Sequence, residues 1–134
     1  MTAELTTADR ALLRGPNFAH VVTLNEDGSP HVAPTWIDVD DRGHVLVNSA
    51  VGRKKDRNVR RDPRVAVSLH EQAHPYTWLA INGTVVSIET GDEAEAHIDA
   101  LNQRYHDGER WTYRPGQVRV IYRILPTRIV RGSE

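Results

Sequence analysis

The densest group of basic side chains in the sequence lies between Gly52 and Arg64, in the stretch GRKKDRNVRRDPR. Seven arginines and lysines stand there against two aspartates, although the formal net charge of the 134-residue chain is -1. A strand-like run precedes the stretch and no helix breaker follows before Asp62-Pro63, which predicts a short helix whose first N–H groups lack backbone partners. A helix start of this kind attracts phosphate and other anions. The stretch therefore predicts an anion site.

Helical spacing divides the basic residues of this stretch into faces. Four residues recur at i, i+3, i+4 and i+7 and so share one face: Lys54, Arg57, Asn58 and Arg61. Lys55 lies about 100° away in the same turn. The alternative is a polar surface helix with solvated charges, which is the commoner outcome for a charge run. Two features favour the anion site. Only Val59 is clearly apolar, so core burial would hold the helix weakly, and Asn58 is a poor helix former that a merely solvated helix would not favour.

The other residue types that commonly carry chemistry form no motif. The sequence has no cysteine, which excludes disulfides, thiolate metal sites and cysteine nucleophiles. Its seven histidines are scattered, with no i, i+4 pair supported by a carboxylate, and no serine lies in a G-x-S-x-G elbow. We therefore predict no metal site and assign no catalytic residue.

The segment PHVAPTW, from Pro30 to Trp36, is the second informative stretch. In an extended conformation Val32, Pro34 and Trp36 face one side, and Pro34 cannot donate to a strand ladder. One interpretation is an edge strand that Pro34 protects, with Trp36 in the core. The other is a strand whose free backbone groups meet a flat heteroaromatic ring.

Length and composition limit the elements that can position these residues. A chain of 134 residues predicts a single domain, 1–134, with its own core. No apolar run is long enough to span a bilayer, and no secretory leader is evident, so we predict a cytoplasmic protein without a membrane segment. The near-neutral charge argues against nucleic-acid binding.

Hydrophobic periodicity predicts three helices and six strands without βαβ alternation. The helices are Thr6 to Arg14, with a Thr6/Asp9 capping pattern, the basic helix, and Gly91 to His106. The strands are Phe18 to Leu24, Pro30 to Val39, His44 to Ser49, Arg64 to His70, Trp78 to Glu89 and Gln117 to Leu125. Gly83 predicts a bulge, and Pro126 is expected to end the last strand. The pattern predicts an α+β protein built on a closed antiparallel barrel.

The order of these motifs resembles the split-barrel flavin and deazaflavin oxidoreductases related to pyridoxamine 5'-phosphate oxidase. The resemblance covers Phe18 to Glu89 and is clearest from Asp27 to Val67, where the DG turn, PHVAPTW, HVLVNS and GRKKDRNVRRDPRV follow one another. It implies an α+β fold with a six-stranded antiparallel split β-barrel of the FMN-binding type and short flanking helices. It also implies a homodimer with cofactor clefts at the subunit interface.

The resemblance also implies which residues contact the cofactor. In that family the turn after the third strand holds the cofactor phosphate, the preceding strand end adds amide or hydroxyl groups, and the second strand lines the ring. The implied contacts here are Val32, Pro34, Thr35, Trp36, Asn48, Ser49, Lys54, Lys55, Arg57 and Asn58.

Two departures bear on the reaction. Ala33 and Asp38 stand where pyridoxamine-phosphate oxidases have an arginine and a lysine, so vitamin B6 oxidation is not expected. The K-x-R-N-x-R-R-D-P-R pattern is similar instead to the actinobacterial branch that uses coenzyme F(420). The resemblance implies a reductase that transfers hydride from this deazaflavin to a conjugated small-molecule acceptor. The alternatives are an FMN-dependent oxidase or reductase and a non-catalytic protein that binds a cofactor or tetrapyrrole.

Overall fold

Seven strands and three helices make up the part of the chain that the computed structural model describes, residues 3–132. The strands are β1 (Ala19–Leu24), β2 (Pro30–Thr35), β3 (Asp38–Val39), β4 (Val45–Ala50), β5 (Arg64–His70), β6 (Trp78–Thr90) and β7 (Arg119–Gly132). The helices are α1 (Thr7–Arg14), α2 (Lys54–Arg61) and α3 (Asp92–Tyr105). None of these helices combines the length and the apolar character needed to cross a bilayer.

All seven strands form one antiparallel sheet in the order β2-β1-β5-β6-β7-β4-β3. The two edge strands, β2 and β3, are joined by only Trp36 and Ile37. Two residues span only about 10 Å even when extended, so the sheet must curl until its two edges approach each other. The result is a split barrel, with its open seam between the two edge strands β2 and β3.

The prediction of six strands is corrected to seven. The segment predicted as one strand from Pro30 to Val39 is divided at Trp36 and Ile37, where the chain passes from one edge of the sheet to the other. Pro126 was expected to end the last strand, but β7 continues through it to Gly132.

The predicted bulge at Gly83 is confirmed. The register between β6 and β7 shifts at Asn82/Gly83, and Gly83 lies opposite Pro126, which has no N–H to offer the ladder. A side chain has no room at Gly83, because a Cβ there would lie 2.6 Å from Cγ2 of Ile124 and 2.8 Å from the carbonyl oxygen of Leu125. The shift thus accommodates both the proline and the tight contact.

The six residues of β4 are all buried, because its two faces meet different parts of the core. Val45 and Val47 face the barrel interior together with Tyr122. Leu46 packs on the opposite face, in a cluster with Ala94 of α3 and Ile121. The alternation of side chains along the strand therefore directs Asn48 toward α3 and Ser49 into the barrel.

Helix α1 begins with the predicted capping box, which is confirmed. Thr6 N–H donates to Asp9 at 2.8 Å, and the Asp9 N–H donates to the Thr6 hydroxyl at 3.1 Å. Asp9 also accepts a hydrogen bond from Arg131 of β7 at 2.7 Å, which fixes the helix to the sheet.

Candidate functional site

A cleft of about 380 Å³ lies where the end of β2, the middle of β4, α3 and the loop before β7 meet. Four basic side chains line it: Arg53, Lys55, Arg114 and Arg119. Three aromatic side chains line it as well: Phe18, Trp36 and Trp111. Pro34, Thr35, Asn48, Ile98 and Leu101 complete the wall. The cleft therefore combines a cationic side with a flat apolar side.

The four basic residues of the cleft, hereafter the basic cluster, lack acidic counterparts. Among residues 3–132 none of them forms a salt bridge with a carboxylate. Burial, followed by the charges of Arg53 and Arg119, lowers the pKa of Lys55. Burial and the charge of Arg53 lower the pKa of Arg119 to about 10, with Glu95 opposing them only in part. Like charges held together in this way favour an anionic ligand.

Arg119 is the most deeply placed member of the basic cluster, with 4% of its surface exposed. Its Nε donates to Oδ1 of Asn48 at 3.0 Å and its Nη1 donates to Oε1 of Gln117 at 3.2 Å. Both acceptors are neutral amides, so they hold the guanidinium in place while leaving its charge uncancelled. The guanidinium also lies over the ring of Trp111, 5.2 Å from its centroid, where the cation–π attraction holds it.

The aromatic side of the cleft is built on Trp36, in the short connection between the two edge strands. Its ring stacks on Tyr105 of α3, with centroids 5.1 Å apart and an interplanar angle of 14°. The Tyr105 hydroxyl donates to the carbonyl oxygen of Asn17 at 2.7 Å and accepts from the N–H of Ile37 at 3.1 Å. Trp111 meets Trp36 edge-on at 6.5 Å. These contacts present an aromatic surface against which a planar ring can lie.

The loop between α3 and β7 is fixed to α3 at two points. The N–H of Trp111 donates to Oδ1 of Asp99 at 2.7 Å, and Nδ2 of Asn102 donates to the carbonyl oxygen of Glu109 at 2.9 Å. Arg114, also in this loop, lies over the ring of Trp111, with its guanidinium carbon 5.4 Å from the ring centroid. The helix thus positions both an aromatic and a cationic part of the cleft.

Half of the residues predicted to contact a cofactor line this cleft. They are Pro34, Thr35, Trp36, Asn48 and Lys55. Three others, Val32, Lys54 and Arg57, are exposed to solvent outside its lining. Lys54 lies toward the hairpin between β1 and β2, where its charge acts on Asp27. The structure therefore separates Lys54 from Lys55, although the resemblance implied that both contact the cofactor.

The remaining two predicted contacts have buried side chains that point elsewhere. Ser49 is fully buried in the barrel, and its hydroxyl has no hydrogen-bond partner within residues 3–132. Asn58 is 2% exposed, and its amide donates to Thr23 at 3.0 Å and to Asn25 at 3.1 Å. These contacts fix α2 to β1, so polar anchoring accounts for an asparagine in a helix that has few apolar residues.

Sequence reasoning missed several residues that the fold brings into the cleft: Phe18, Arg53, Trp111, Arg114 and Arg119. Arg53 lies within the recognised basic stretch, but Arg119 follows it by more than sixty positions. The one available signal for a functional role was an arginine directly before the apolar residues Val120, Ile121 and Tyr122.

The fold and this cleft define a split-barrel protein with a pocket for an anionic, ring-bearing ligand. The chain belongs to the pyridoxamine 5'-phosphate oxidase family, whose profile matches residues 5–129. This family contains flavin- and F(420)-dependent oxidoreductases together with members that are not catalytic.

Solved structures agree with this assignment. An F420 reductase is 31% identical, with a TM-score of 0.80 over 94% of this chain and 98% of that one. A conserved hypothetical protein from Mycobacterium tuberculosis is 22% identical, with a TM-score of 0.72 over 98% of this chain and 86% of that one. HupZ from Group A Streptococcus is 16% identical, with a TM-score of 0.67 over 97% of this chain and 98% of that one. The last two show the fold alone. A search of curated proteins finds no match.

Proposed function

We propose that this protein is a reductase that binds reduced coenzyme F(420) in the cleft and directs hydride transfer to a conjugated organic acceptor. The observation that carries the proposal is the basic cluster, whose four cations have no acidic partner among the described residues and face an aromatic wall. A deazaflavin with a phosphate and an acidic tail presents the complementary groups. The similarity to an F420 reductase at 31% identity supports the same cofactor.

The residues of the cleft suit such a cofactor. Lys55 and Arg119 carry charges that burial and their neighbours disfavour, so a bound phosphate or carboxylate would relieve a cost that the free protein bears. Pro34, Thr35 and Trp36 would contact the ring. When bound, the coenzyme supplies the hydride, and the protein supplies binding, orientation and exclusion of water.

Within residues 3–132, the lining of the cleft contains no carboxylate, histidine or tyrosine. These are the side chains that most often donate or accept a proton in catalysis. Lys55 is assigned to the anionic group of the ligand, so in the proposed reaction solvent or the acceptor itself supplies the proton, and the residues of the chain act by placement and electrostatics.

Titration of the purified protein with coenzyme F(420) and with FMN tests the cofactor. We expect micromolar or tighter binding of F(420) and weaker binding of FMN, because one phosphate leaves part of the basic cluster without a partner. Tight binding of FMN with none of F(420) would contradict the proposal and support an FMN-dependent oxidase or reductase.

A non-catalytic cofactor or tetrapyrrole carrier is the second candidate, and it is favoured by the lack of a carboxylate, histidine or tyrosine among the described residues that line the cleft. Turnover distinguishes the two. Reduced coenzyme is mixed with the protein and with quinones, nitroaromatics, enones or biliverdin, and oxidation of the coenzyme is followed. Oxidation that depends on both protein and acceptor supports the reductase, whereas binding without oxidation supports the carrier.

We also propose that the protein is a homodimer with the cleft at its interface. Four exposed apolar side chains lie at the cleft or within two positions of its lining residues in the chain: Phe18, Val32, Val51 and Val118, with 46–56% of their surface exposed. Val51 and Val118 adjoin each other through a backbone hydrogen bond of 2.9 Å. A second copy of the chain would cover these side chains and enclose the ligand.

A further inference from the structure

The amide of Asn48 lies between Arg119 and α3 and uses both of its ends. Its oxygen accepts from Nε of Arg119 at 3.0 Å, and its nitrogen donates to the carbonyl oxygen of Ala94 at 3.0 Å and lies 3.1 Å from Nδ1 of His97. Turning the amide over would set two donors against each other at Arg119 and two acceptors against each other at Ala94. The network therefore selects one orientation of the Asn48 side chain.

His97 continues this network on the side away from the cleft. Its Nε2 lies 3.0 Å from Oδ2 of Asp38, whose other oxygen accepts from Nη2 of Arg104 at 3.1 Å. Because a carboxylate only accepts, Nε2 carries the ring proton and Nδ1 is the acceptor that faces Asn48. The side chains of His97 and Asp38 are 11% and 14% exposed, so water competes little for these bonds.

The protonation state of Asp38 agrees with this arrangement. Burial acts to raise the pKa of Asp38, but hydrogen bonds from His97 and the Val39 backbone, with the charge of Arg104, hold the pKa below its ordinary value. Asp38 is therefore a carboxylate at neutral pH and accepts from His97.

We propose that Asp38, His97 and Asn48 form a positioning relay that aims Arg119 at the anionic group of the ligand while leaving its charge free. This inference rests on the proposed function, since it assigns Arg119 to anion binding in the same cleft. A carboxylate bonded directly to Arg119 would cancel the charge that the ligand needs. The neutral amide of Asn48 holds the guanidinium without cancelling its charge. The Asp38 carboxylate orients that amide through His97 and stays away from Arg119.

Two substitutions of His97 separate its contacts. The amide of asparagine reaches the position of Nδ1, so His97→Asn can keep an acceptor for Asn48 while losing Asp38. The amide of glutamine reaches the position of Nε2, so His97→Gln can keep Asp38 while losing Asn48. Each variant loses one buried hydrogen bond, and we expect similar losses in Tm. A purely structural role for His97 predicts similar binding as well.

The relay predicts different binding by the two variants. In titrations with coenzyme F(420), we expect His97→Gln to bind about tenfold more weakly than the parent, because Asn48 loses its acceptor. We expect a smaller loss of about threefold for His97→Asn, because it keeps an acceptor for Asn48 that Asp38 no longer orients. Nitrogen NMR of the free protein gives a second measurement that needs no ligand. It should show the Nε2–H tautomer of His97, and a slowly exchanging Nε–H signal of Arg119 in the parent and in His97→Asn that is lost in His97→Gln.

The outcomes separate the relay from the proposed function. If both variants bind like the parent and keep the Arg119 signal, or if His97 carries its proton on Nδ1, the relay is refuted. If the parent does not bind coenzyme F(420), the cofactor assignment fails, and the Arg119 signal in the two variants still decides whether His97 orients that side chain through Asn48.

Discussion

Lys54 and Lys55 are adjacent in the chain, yet the fold gives them different surroundings. Lys55 lines the cleft and is partly buried, whereas Lys54 is exposed outside it. We expect Lys55→Ala to weaken coenzyme binding about ten- to a hundredfold, because a charge-assisted contact in a desolvated site is worth roughly 1.5–3 kcal/mol. Lys54→Ala is the matched control and should bind within about twofold of the parent. Cofactor titration at two salt concentrations measures both, and equal affinities would remove Lys55 from the site.

The charge of Lys55 should also lower the stability of the free protein. Burial and the charges of Arg53 and Arg119 lower its pKa in the folded state, so the unfolded state binds the proton more tightly and charged Lys55 opposes folding. We expect Lys55→Met to raise Tm at pH 7 by roughly 2–4 °C, which corresponds to a gain of about 1 kcal/mol in the free energy of unfolding. The gain should shrink as pH rises through the lowered folded-state pKa of Lys55 and should be lost above about 10.4, where most of the lysine is neutral in the unfolded state as well.

This stability measurement requires a buffer without phosphate or sulfate, because either anion could occupy the basic cluster. Lys54→Met serves as the control, since Lys54 is exposed, and its Tm should stay near that of the parent. A lower Tm for Lys55→Met at pH 7 would mean that the lysine contributes to packing rather than to binding.

Sequence patterns identified the site residues that lie in unusual local stretches and missed those that only strand pairing brings to the cleft. Trp36 and Lys55 lie in stretches whose local composition was unusual, and the resemblance assigned them a role. Arg119 reaches the cleft only through the pairing of β7 with β4, which no local pattern expresses. Ser49 was assigned to the site beside Asn48, but successive residues of a strand face opposite sides, and only Asn48 faces the cleft.

At the scale of elements, α2 is held in place by polar contacts. Asp56 is 2% exposed and accepts from the Gly52 N–H at 2.9 Å, from Arg60 at 3.0 Å and from the Tyr122 hydroxyl at 2.7 Å. Burial acts to raise the pKa of Asp56, but these hydrogen bonds and the charge of Arg60 hold it below the ordinary value. Arg60 therefore supports the helix through its contact with Asp56.

We expect Asp56→Asn to lower the free energy of unfolding by about 2–3 kcal/mol at pH 7, because one buried donor is left without an acceptor. The folded-state pKa of Asp56 is lowered, so its contribution is complete above about pH 4 and is lost as pH falls through the folded-state value. Urea denaturation at pH 7 and at pH 3 should show the parent and the variant converging. A constant difference between them would show that the Asp56 charge plays no part.

The secondary structure was largely predictable because local sequence patterns indicate most of the helices and strands. Alternating apolar residues marked β5 and β6, and Gly83 marked the bulge. The division between β2 and β3 was not visible, since PHVAPTWIDV keeps its strand-like composition through Trp36 and Ile37. The expectation that Pro126 ends the strand was wrong because a register shift between β6 and β7 removes the cost of the missing N–H, which is a tertiary effect.

At the scale of the whole molecule, the proposed homodimer makes the cleft depend on a second chain. The 15.1 kDa chain should therefore scatter light as a particle of about twice that mass at micromolar concentration. A stable monomer under those conditions would contradict the dimer and with it an interfacial cofactor site.

Single charges can locate the interface. We expect Val118→Asp to shift the protein toward monomer and to weaken coenzyme binding at least tenfold, because a carboxylate would be buried against the partner next to the basic cluster. Val86→Asp is the matched control, since Val86 is similarly exposed, at 52% against 49% for Val118, and does not line the cleft. Light scattering and titration of both variants at equal protein concentration provide the measurement. Dimers that persist in Val118→Asp with parental affinity would move the interface away from the cleft, and monomers in both variants would show that any new surface charge disrupts assembly.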